Sequence, residues 1–271
     1  MRFFQIDVKN KDSLPETKAY FYGQEDIKNV PIHSRPVIVI CPGGGYEFTS
    51  DREAEIVALQ FLAMGYHAAV LRYSCSPAVY PTALTELAAL VREIHVHASE
   101  WQVDRDQLYL LGFSAGAHLV CSFSSFWKEG LLSNSLSCSI EQLKPAGQIL
   151  CYPVIKTGEF AHNGSFRALL ADEYEEKKEE LSLEKRVSDA VPETFIWHTT
   201  DDASVPVQNS LLYVQALIEA GIPVEYHLFE HGRHGLSLGN LLTTREGDEV
   251  EKNAQPWLKL VHNWLSRRCG F

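Results

Sequence analysis

The chain has 271 residues, a length that suits one large α/β domain spanning residues 1–271 with a sizeable buried core. Apolar residues make up 45% of the chain and charged residues 22%, a composition that argues against wholesale disorder. The 35 acidic residues outnumber the 24 basic ones and give a formal net charge of -11. Such a chain would repel a phosphate backbone, so nucleic acid is not expected as a partner.

The first ten residues lack the charged segment and the apolar core of a secretory signal. No segment reaches the ~18 consecutive apolar residues that span a bilayer. The six cysteines are scattered and form no CxxC pair, which is typical of reduced, buried thiols. We therefore expect a cytoplasmic protein with no membrane partner and no metal site built from these cysteines.

Short apolar runs alternate with helical stretches along the chain. Residues 1–30 are predicted to form an antiparallel edge hairpin. Strands are then predicted at residues 37–41, 67–71, 107–113, 148–151, 194–198 and 224–229, and helices at residues 51–64, 82–99, 115–127, 207–220 and 256–268. This alternation predicts an α/β fold whose central sheet is mostly parallel and carries helices on both faces. Residues 155–190 break the alternation, and we predict an irregular insertion with a helix that acts as a small lid.

The segment 112–116 reads Gly-Phe-Ser-Ala-Gly and lies between a predicted strand and a predicted helix. It matches the nucleophile elbow G-x-S-x-G. Small residues two positions before and after Ser114 let the neighbouring elements approach each other, and the turn lifts the hydroxyl above the sheet edge at a helix N-terminus. The alternative is a glycine-flanked turn without chemistry. The context favours Ser114 as the nucleophile of an α/β-hydrolase fold.

A serine nucleophile of this kind requires an acid and a histidine base, and in this fold both follow later strands. Asp201 and Asp202 come after the strand at 194–198, and either could orient the base or cap the next helix. His231 and His234 come after the strand at 224–229, in a loop rich in glycine. His234 is favoured because it lies deeper in that loop, beside a glycine, with room to reach over the sheet edge.

Three consecutive glycines follow the first strong strand, in a position suited to an oxyanion hole. We predict that the backbone N–H groups of Gly44 and Gly45 hold the oxyanion together with that of Ala115, the residue after the nucleophile. The alternative is a phosphate-binding loop. It is disfavoured because no Lys-Ser/Thr pair follows the glycines.

Other polar residues near these motifs have weaker assignments. Tyr46 and Tyr152 are candidates for contacting the substrate. Arg52 and Glu53 open the first predicted helix and are candidates for bracing the glycine loop. His118 is expected to pack or hydrogen-bond beneath the elbow. No pattern indicates a metal or a cofactor, and neither is expected.

Four motifs together carry a family resemblance: PGGGY at 42–46, GFSAGAHL at 112–119, DxxVP at 202–206 and HGL at 234–236. They resemble the α/β-hydrolase esterases related to acetyl, acetylxylan and feruloyl esterases, over residues 30–268. The resemblance implies that Asp202 is the triad acid and His234 the base. Pro42 stands where many relatives have a histidine, which resembles the sugar-ester branch more than the hormone-sensitive-lipase branch.

These observations predict a serine hydrolase acting on a small-molecule ester of short acyl chain, with an acetylated carbohydrate as the candidate substrate. Two other functions stay open at this point. One is peptide-bond cleavage by the same triad, although the chain lacks the large extra domain that usually gates such peptidases. The other is non-catalytic binding on the same scaffold. A homodimer is also open, since no residue pattern demonstrates or opposes it.

Overall fold

The structure is a computed structural model and describes residues 1–270. Eight strands in these residues form one sheet: β1 (Arg2–Ile6), β2 (Lys18–Gly23), β3 (Arg35–Cys41), β4 (His67–Arg72), β5 (Val103–Phe113), β6 (Gly147–Cys151), β7 (Thr194–Thr199) and β8 (Val224–Phe229). Their order across the sheet is β1-β2-β4-β3-β5-β6-β7-β8. The first two strands join antiparallel at one edge, and the remaining six run parallel to one another. The predicted edge hairpin and the mostly parallel sheet are confirmed.

Nine α-helices of the described residues connect or flank the strands: α1 (Glu55–Ala63), α2 (Thr82–Val96), α3 (Ala98–Trp101), α4 (Ala115–Phe126), α5 (Leu131–Leu136), α6 (Asn163–Leu170), α7 (Tyr174–Lys177), α8 (Gln208–Glu219) and α9 (Trp257–Cys269). Short 3₁₀ turns lie at Asp51–Glu53, Ile140–Leu143, Ala171–Glu173 and Leu183–Lys185. The predicted helix over 51–64 therefore begins as a 3₁₀ turn, and the one over 82–99 is divided between α2 and α3. Among residues 1–270, no helix combines the length and the apolar composition that a bilayer crossing requires.

The sheet is buried on both faces because apolar residues dominate the middle of its central strands. In β3, Val37 and Val39 pack into one cluster, whereas Ile38 and Ile40 pack into the other. Helices α2, α4 and α8 cover the first face, and α1 and α9 cover the second. A parallel sheet with helices on both faces, ordered in this way, is the α/β-hydrolase fold.

The carboxyl ends of the parallel strands meet at one edge of the sheet, and the predicted site residues follow those ends. The glycine loop follows β3, Ser114 follows β5, Asp202 lies in the loop after β7, and His234 lies in the loop after β8. Binding and catalytic groups in open α/β sheets lie at this edge. The topology therefore gathers residues that are up to 190 positions apart in sequence.

The insertion at 155–190 contains α6, α7 and two of the 3₁₀ turns, so it holds more helix than the single helix predicted. His162 and Gly164, at its start, line the cleft that also contains Ser114. The segment thus forms part of the wall of the site. Its action as a lid stays a prediction.

Candidate active site

Ser114 occupies the sharp turn between β5 and α4, with φ 53° and ψ −117°. A non-glycine residue with positive φ is strained, and strain of about 1–3 kcal/mol persists only where the surroundings enforce it. Here the Ser114 N–H donates to the Cys151 carbonyl at 3.0 Å, and the Ser114 carbonyl accepts from Val154 at 3.1 Å. The turn is therefore held from the neighbouring strand β6.

The two glycines of the elbow are required by close backbone contacts. A Cβ atom on Gly112 would lie 2.4 Å from the Cα of Ala117. A Cβ atom on Gly116 would lie 2.1 Å from the carbonyl oxygen of Cys41, at the end of β3. Both distances are far below van der Waals contact, so α4 can start this close to the sheet only with glycine at these positions.

The Ser114 hydroxyl lies 2.7 Å from Nε2 of His234. The other ring nitrogen, Nδ1, lies 2.6 Å from Oδ2 of Asp202. Because ionised Asp202 can only accept, Nδ1 of His234 carries a proton, and Nε2 in the neutral ring is left to accept from the serine hydroxyl. The structure therefore brings together the serine, histidine and aspartate that the sequence favours for this site.

The two adjacent aspartates have separate partners. Asp202 is buried and faces His234, whereas Asp201 pairs with the competing histidine, His231, at 3.3 Å. Asp201 also accepts the N–H of Gly232 at 2.7 Å. The exposed Asp201–His231 pair thus ties the histidine loop to the loop after β7, beside the pair that contacts Ser114.

Asp202 is held by four hydrogen bonds. Its Oδ1 accepts the N–H groups of Ser204 and Val205, each at 2.9 Å, and its Oδ2 lies near both His234 and His198. Burial raises the pKa of Asp202, but the hydrogen bonds from His198 and His234 and the backbone outweigh it, so the pKa lies well below its ordinary value. The carboxylate is therefore charged at neutral pH.

His198, the next-to-last residue of β7, is a site residue that the sequence prediction missed. Its Nε2 lies 3.3 Å from Oδ2 of Asp202 and 3.1 Å from the carbonyl oxygen of Val205, and its Nδ1 lies 2.7 Å from the Ser210 hydroxyl. Because two acceptors lie beside Nε2, the proton of the neutral ring is on Nε2, and Nδ1 accepts a hydrogen bond from the Ser210 hydroxyl. Burial lowers the pKa of His198, so the ring is a neutral donor to Asp202. The sequence did contain a signal for His198: a histidine near the end of a mostly apolar strand, four residues before Asp202.

The carbonyl groups of Gly43 and Gly44 accept hydrogen bonds from the backbone that follows the glycine loop. The Gly43 carbonyl accepts from Ser50, and the Gly44 carbonyl accepts from Glu47 and Phe48. In residues 1–270, the N–H groups of Gly44, Gly45 and Ala115 have no protein acceptor. Gly44 and Gly45 line the same cleft as Ser114.

Glu53 braces this loop from beneath, as the sequence suggested. Its Oε2 accepts the Gly43 N–H at 2.8 Å, and its Oε1 accepts the Tyr152 hydroxyl at 2.7 Å. The neighbouring Arg52 donates to the carbonyl oxygens of Gly235 and Thr243, both at 2.8 Å. One short 3₁₀ turn therefore fixes the glycine loop and the histidine loop relative to each other.

Tyr46 and Tyr152, the predicted substrate contacts, are both buried, and the structure places neither in the lining of the cleft. The Tyr46 hydroxyl contacts Nδ1 of His118 at 2.9 Å, beneath the elbow, in agreement with the packing role expected of His118. The Tyr152 ring packs edge-on against His234, with centroids 5.1 Å apart, and its hydroxyl bonds to Glu53. Both tyrosines are packing residues.

The cleft above Ser114 has a volume of about 490 Å³, and most of the residues that line it are polar or charged. Besides Ser114, His234 and the glycine loop, the lining side chains include Glu47, Phe48, Arg52, His162, Ser204 and Arg245. No group of three or more histidine, cysteine or acidic side chains able to hold a metal ion occurs within residues 1–270. The geometry is that of a polar cleft over an activated serine.

The profile of the BD-FAE family matches residues 27–217, more than half of the chain. The chain belongs to the BD-FAE family. This match includes the glycine loop, the elbow and the loop containing Asp202, and it ends before the histidine loop after β8.

Known proteins similar to this BD-FAE chain include endo-1,4-beta-xylanase B of Butyrivibrio fibrisolvens, 36% identical over 84% of the chain. The chain spans 35% of the length of that relative. The solved carboxylesterase Cest-2923 of Lactobacillus plantarum WCFS1 is 31% identical, with a TM-score of 0.83 over 99% of this chain and 98% of the other. An acetyl ester-xyloside bifunctional hydrolase of Caldicellulosiruptor lactoaceticus is 32% identical, with a TM-score of 0.80 over 97% and 96%. Two of these similar proteins, the carboxylesterase and the acetyl ester-xyloside hydrolase, are named for ester hydrolysis.

Proposed function

We propose that the chain hydrolyses short-chain esters of carbohydrates, with acetylated xylose units as the first candidate, through Ser114, His234 and Asp202. The observation that carries the catalytic assignment is the unbroken series of contacts from the Ser114 hydroxyl through His234 to Asp202, at 2.7 and 2.6 Å. Distances in this range allow the histidine to take the serine proton as the serine attacks a carbonyl.

In the proposed reaction, the Ser114 oxygen attacks the ester carbonyl carbon while His234 accepts its proton. Asp202 orients the imidazole and stabilises the positive charge that forms on it. The N–H groups of Gly44, Gly45 and Ala115 are available to the tetrahedral oxyanion, since none has a partner in the described residues. His234 then returns the proton to the leaving alcohol, and the acyl-serine is hydrolysed by water that His234 activates.

The preference for a short acyl group and a sugar is supported by the cleft. Most of its lining residues are polar or charged, and the large apolar side chain among them is Phe48, so a long alkyl chain would find few apolar side chains there. Two similar proteins support a xylan-related substrate: one is named a xylanase, and the other is described as an acetyl ester-xyloside hydrolase. Cytoplasmic location and a homodimer stay predictions.

The first test is hydrolysis of p-nitrophenyl esters from acetate to octanoate, followed by acetate release from acetylated xylo-oligosaccharides. We expect activity to be highest with acetate and to be lost in His234→Ala. His231→Ala is the matched control, because His231 lies in the same loop but contacts Asp201 instead of Ser114. Activity that rises steadily to octanoate, or equal loss in the two variants, would contradict the proposal.

A further inference from the structure

His162 lies at the start of the insertion, immediately before α6, and caps that helix. Its Nδ1 accepts the backbone N–H of Ser165 at 3.3 Å and lies 2.8 Å from the Ser165 hydroxyl. Because a backbone N–H can only donate, Nδ1 is unprotonated in this arrangement, and the proton of the neutral ring is on Nε2. The cap therefore fixes both the ring orientation and the tautomer.

The Nε2–H group of His162 has no acceptor in the part of the chain that the structure describes. The ring lines the cleft together with Ser114 and His234. Burial lowers the pKa of His162, and repulsion from His234 lowers it further. A neutral donor, held in one tautomer, thus faces the open cleft beside His234.

The role of His234 in the proposed reaction indicates which part of a substrate occupies the cleft beside it. In ester hydrolysis by the proposed mechanism, His234 must reach the oxygen of the leaving alcohol in order to protonate it. Because His162 and His234 line the same cleft, the alcohol part of a bound ester lies in the space that both rings border.

We propose that His162 is a substrate-binding residue whose Nε2–H donates a hydrogen bond to a hydroxyl or ring oxygen of the ester's alcohol part. This inference rests on the proposed function, because it assumes that Ser114 and His234 act on an ester in this cleft. It assigns to the insertion a direct role in selecting alcohols that carry oxygen atoms near the ester bond.

Two substitutions separate binding from helix capping. His162→Asn keeps an acceptor near the position of Nδ1, and asparagine is among the favoured N-cap residues, but it removes the Nε2–H donor. His162→Ala removes both the cap and the donor. We expect the melting temperature of His162→Asn to match the wild type and that of His162→Ala to be lower.

The substrates are chosen as a pair of similar size: glycerol monoacetate, which has free hydroxyl groups, and n-propyl acetate, which has none. For His162→Asn we expect kcat/KM to fall by about 2- to 10-fold with glycerol monoacetate, mainly through KM, because a neutral hydrogen bond contributes about that much. With n-propyl acetate we expect wild-type kinetics.

Unchanged kinetics with glycerol monoacetate, or an equal loss with both acetates, would overturn the role of His162. Failure of the proposed function gives a different result. In that case the wild type itself hydrolyses neither acetate, or hydrolyses them equally well after Ser114→Ala.

Discussion

The neutral imidazole of His198 is predicted to hold Asp202 in position, and two substitutions divide its contacts. In His198→Gln, the amide group reaches the former position of Nε2 and can still donate to Asp202. In His198→Asn, the shorter side chain reaches only the former position of Nδ1, on the side of Ser210. Both variants lose the ring, so comparison between them isolates the hydrogen bond to the carboxylate.

The expected loss of kcat/KM follows from the negative charge of Asp202, which accepts the hydrogen bond from His198. Hydrogen bonds to charged groups contribute about 1.5–3 kcal/mol, and Asp202 has its other oxygen committed to two backbone N–H groups. If the loss of the His198 bond is felt fully in the transition state, kcat/KM of His198→Asn falls by about 10- to 100-fold. His198→Gln is expected to stay within about fivefold of the wild type, since it retains the donor.

The assay is steady-state hydrolysis of p-nitrophenyl acetate, with urea unfolding of both variants as the control for folding. Equal activity of His198→Asn and wild type would show that Asp202 needs no support from His198. Equal defects in His198→Gln and His198→Asn would show that packing of the ring, and not the hydrogen bond, is what matters.

Three further perturbations test the fold around the site. In Gly116→Ala, the new Cβ would lie 2.1 Å from a carbonyl oxygen of β3. Such overpacking costs about 1–3 kcal/mol, so we expect a melting temperature about 2–10 °C lower, and an unchanged value would contradict the packing described. In Glu53→Gln, the amide NH₂ would face one of the two buried donors, the Gly43 N–H or the Tyr152 hydroxyl. Urea unfolding should show that the free energy of unfolding falls by about 1–3 kcal/mol, and wild-type stability would contradict the bracing role. Burial lowers the pKa of both His67 and His118 from 6.5 to about 4, so the unfolded chain binds more protons between these values and stability falls as the pH drops. Each histidine should lower the unfolding free energy by about 2 kcal/mol between pH 7 and pH 5 in urea titrations, and a flat profile would show that one or both are not buried as neutral rings.

The fold and the elbow could be predicted because their signals are local. The central strands contain short apolar runs that end at glycine, proline or polar residues, so their positions follow from neighbouring residues. The elbow around Ser114 is recognised just as locally, because its five residues lie between a strand and a helix that the sequence itself indicates. The contact that requires Gly116 is with β3 and is tertiary.

Which of the two adjacent aspartates contacts His234 depends on the tertiary structure. Asp201 and Asp202 are adjacent in sequence, and their side chains diverge to different histidines. Sequence reasoning from the loop alone left both aspartates open, and the family resemblance favoured the one that the structure places against His234. The pairing itself depends on how the loops after β7 and β8 meet.

The direction of a side chain after a turn was not predictable. Tyr46 and Tyr152 both follow a strand end beside the site and both have positive φ, at 60° and 38°, which turns their rings inward to the core. His162 was also not identified from the sequence as a residue of the site. It lies in the irregular insertion, where no periodic pattern indicated that the segment returns to the cleft.

The most direct test of the central claim is labelling by a fluorophosphonate probe, which forms a covalent bond with an activated serine, followed by mass spectrometry of the modified peptide. The account predicts one label per chain on Ser114, loss of labelling and of p-nitrophenyl acetate hydrolysis in Ser114→Ala, and retention of both in Ser204→Ala, a change at another serine that lines the same cleft. A label on a different residue, or full hydrolysis by Ser114→Ala, would contradict it.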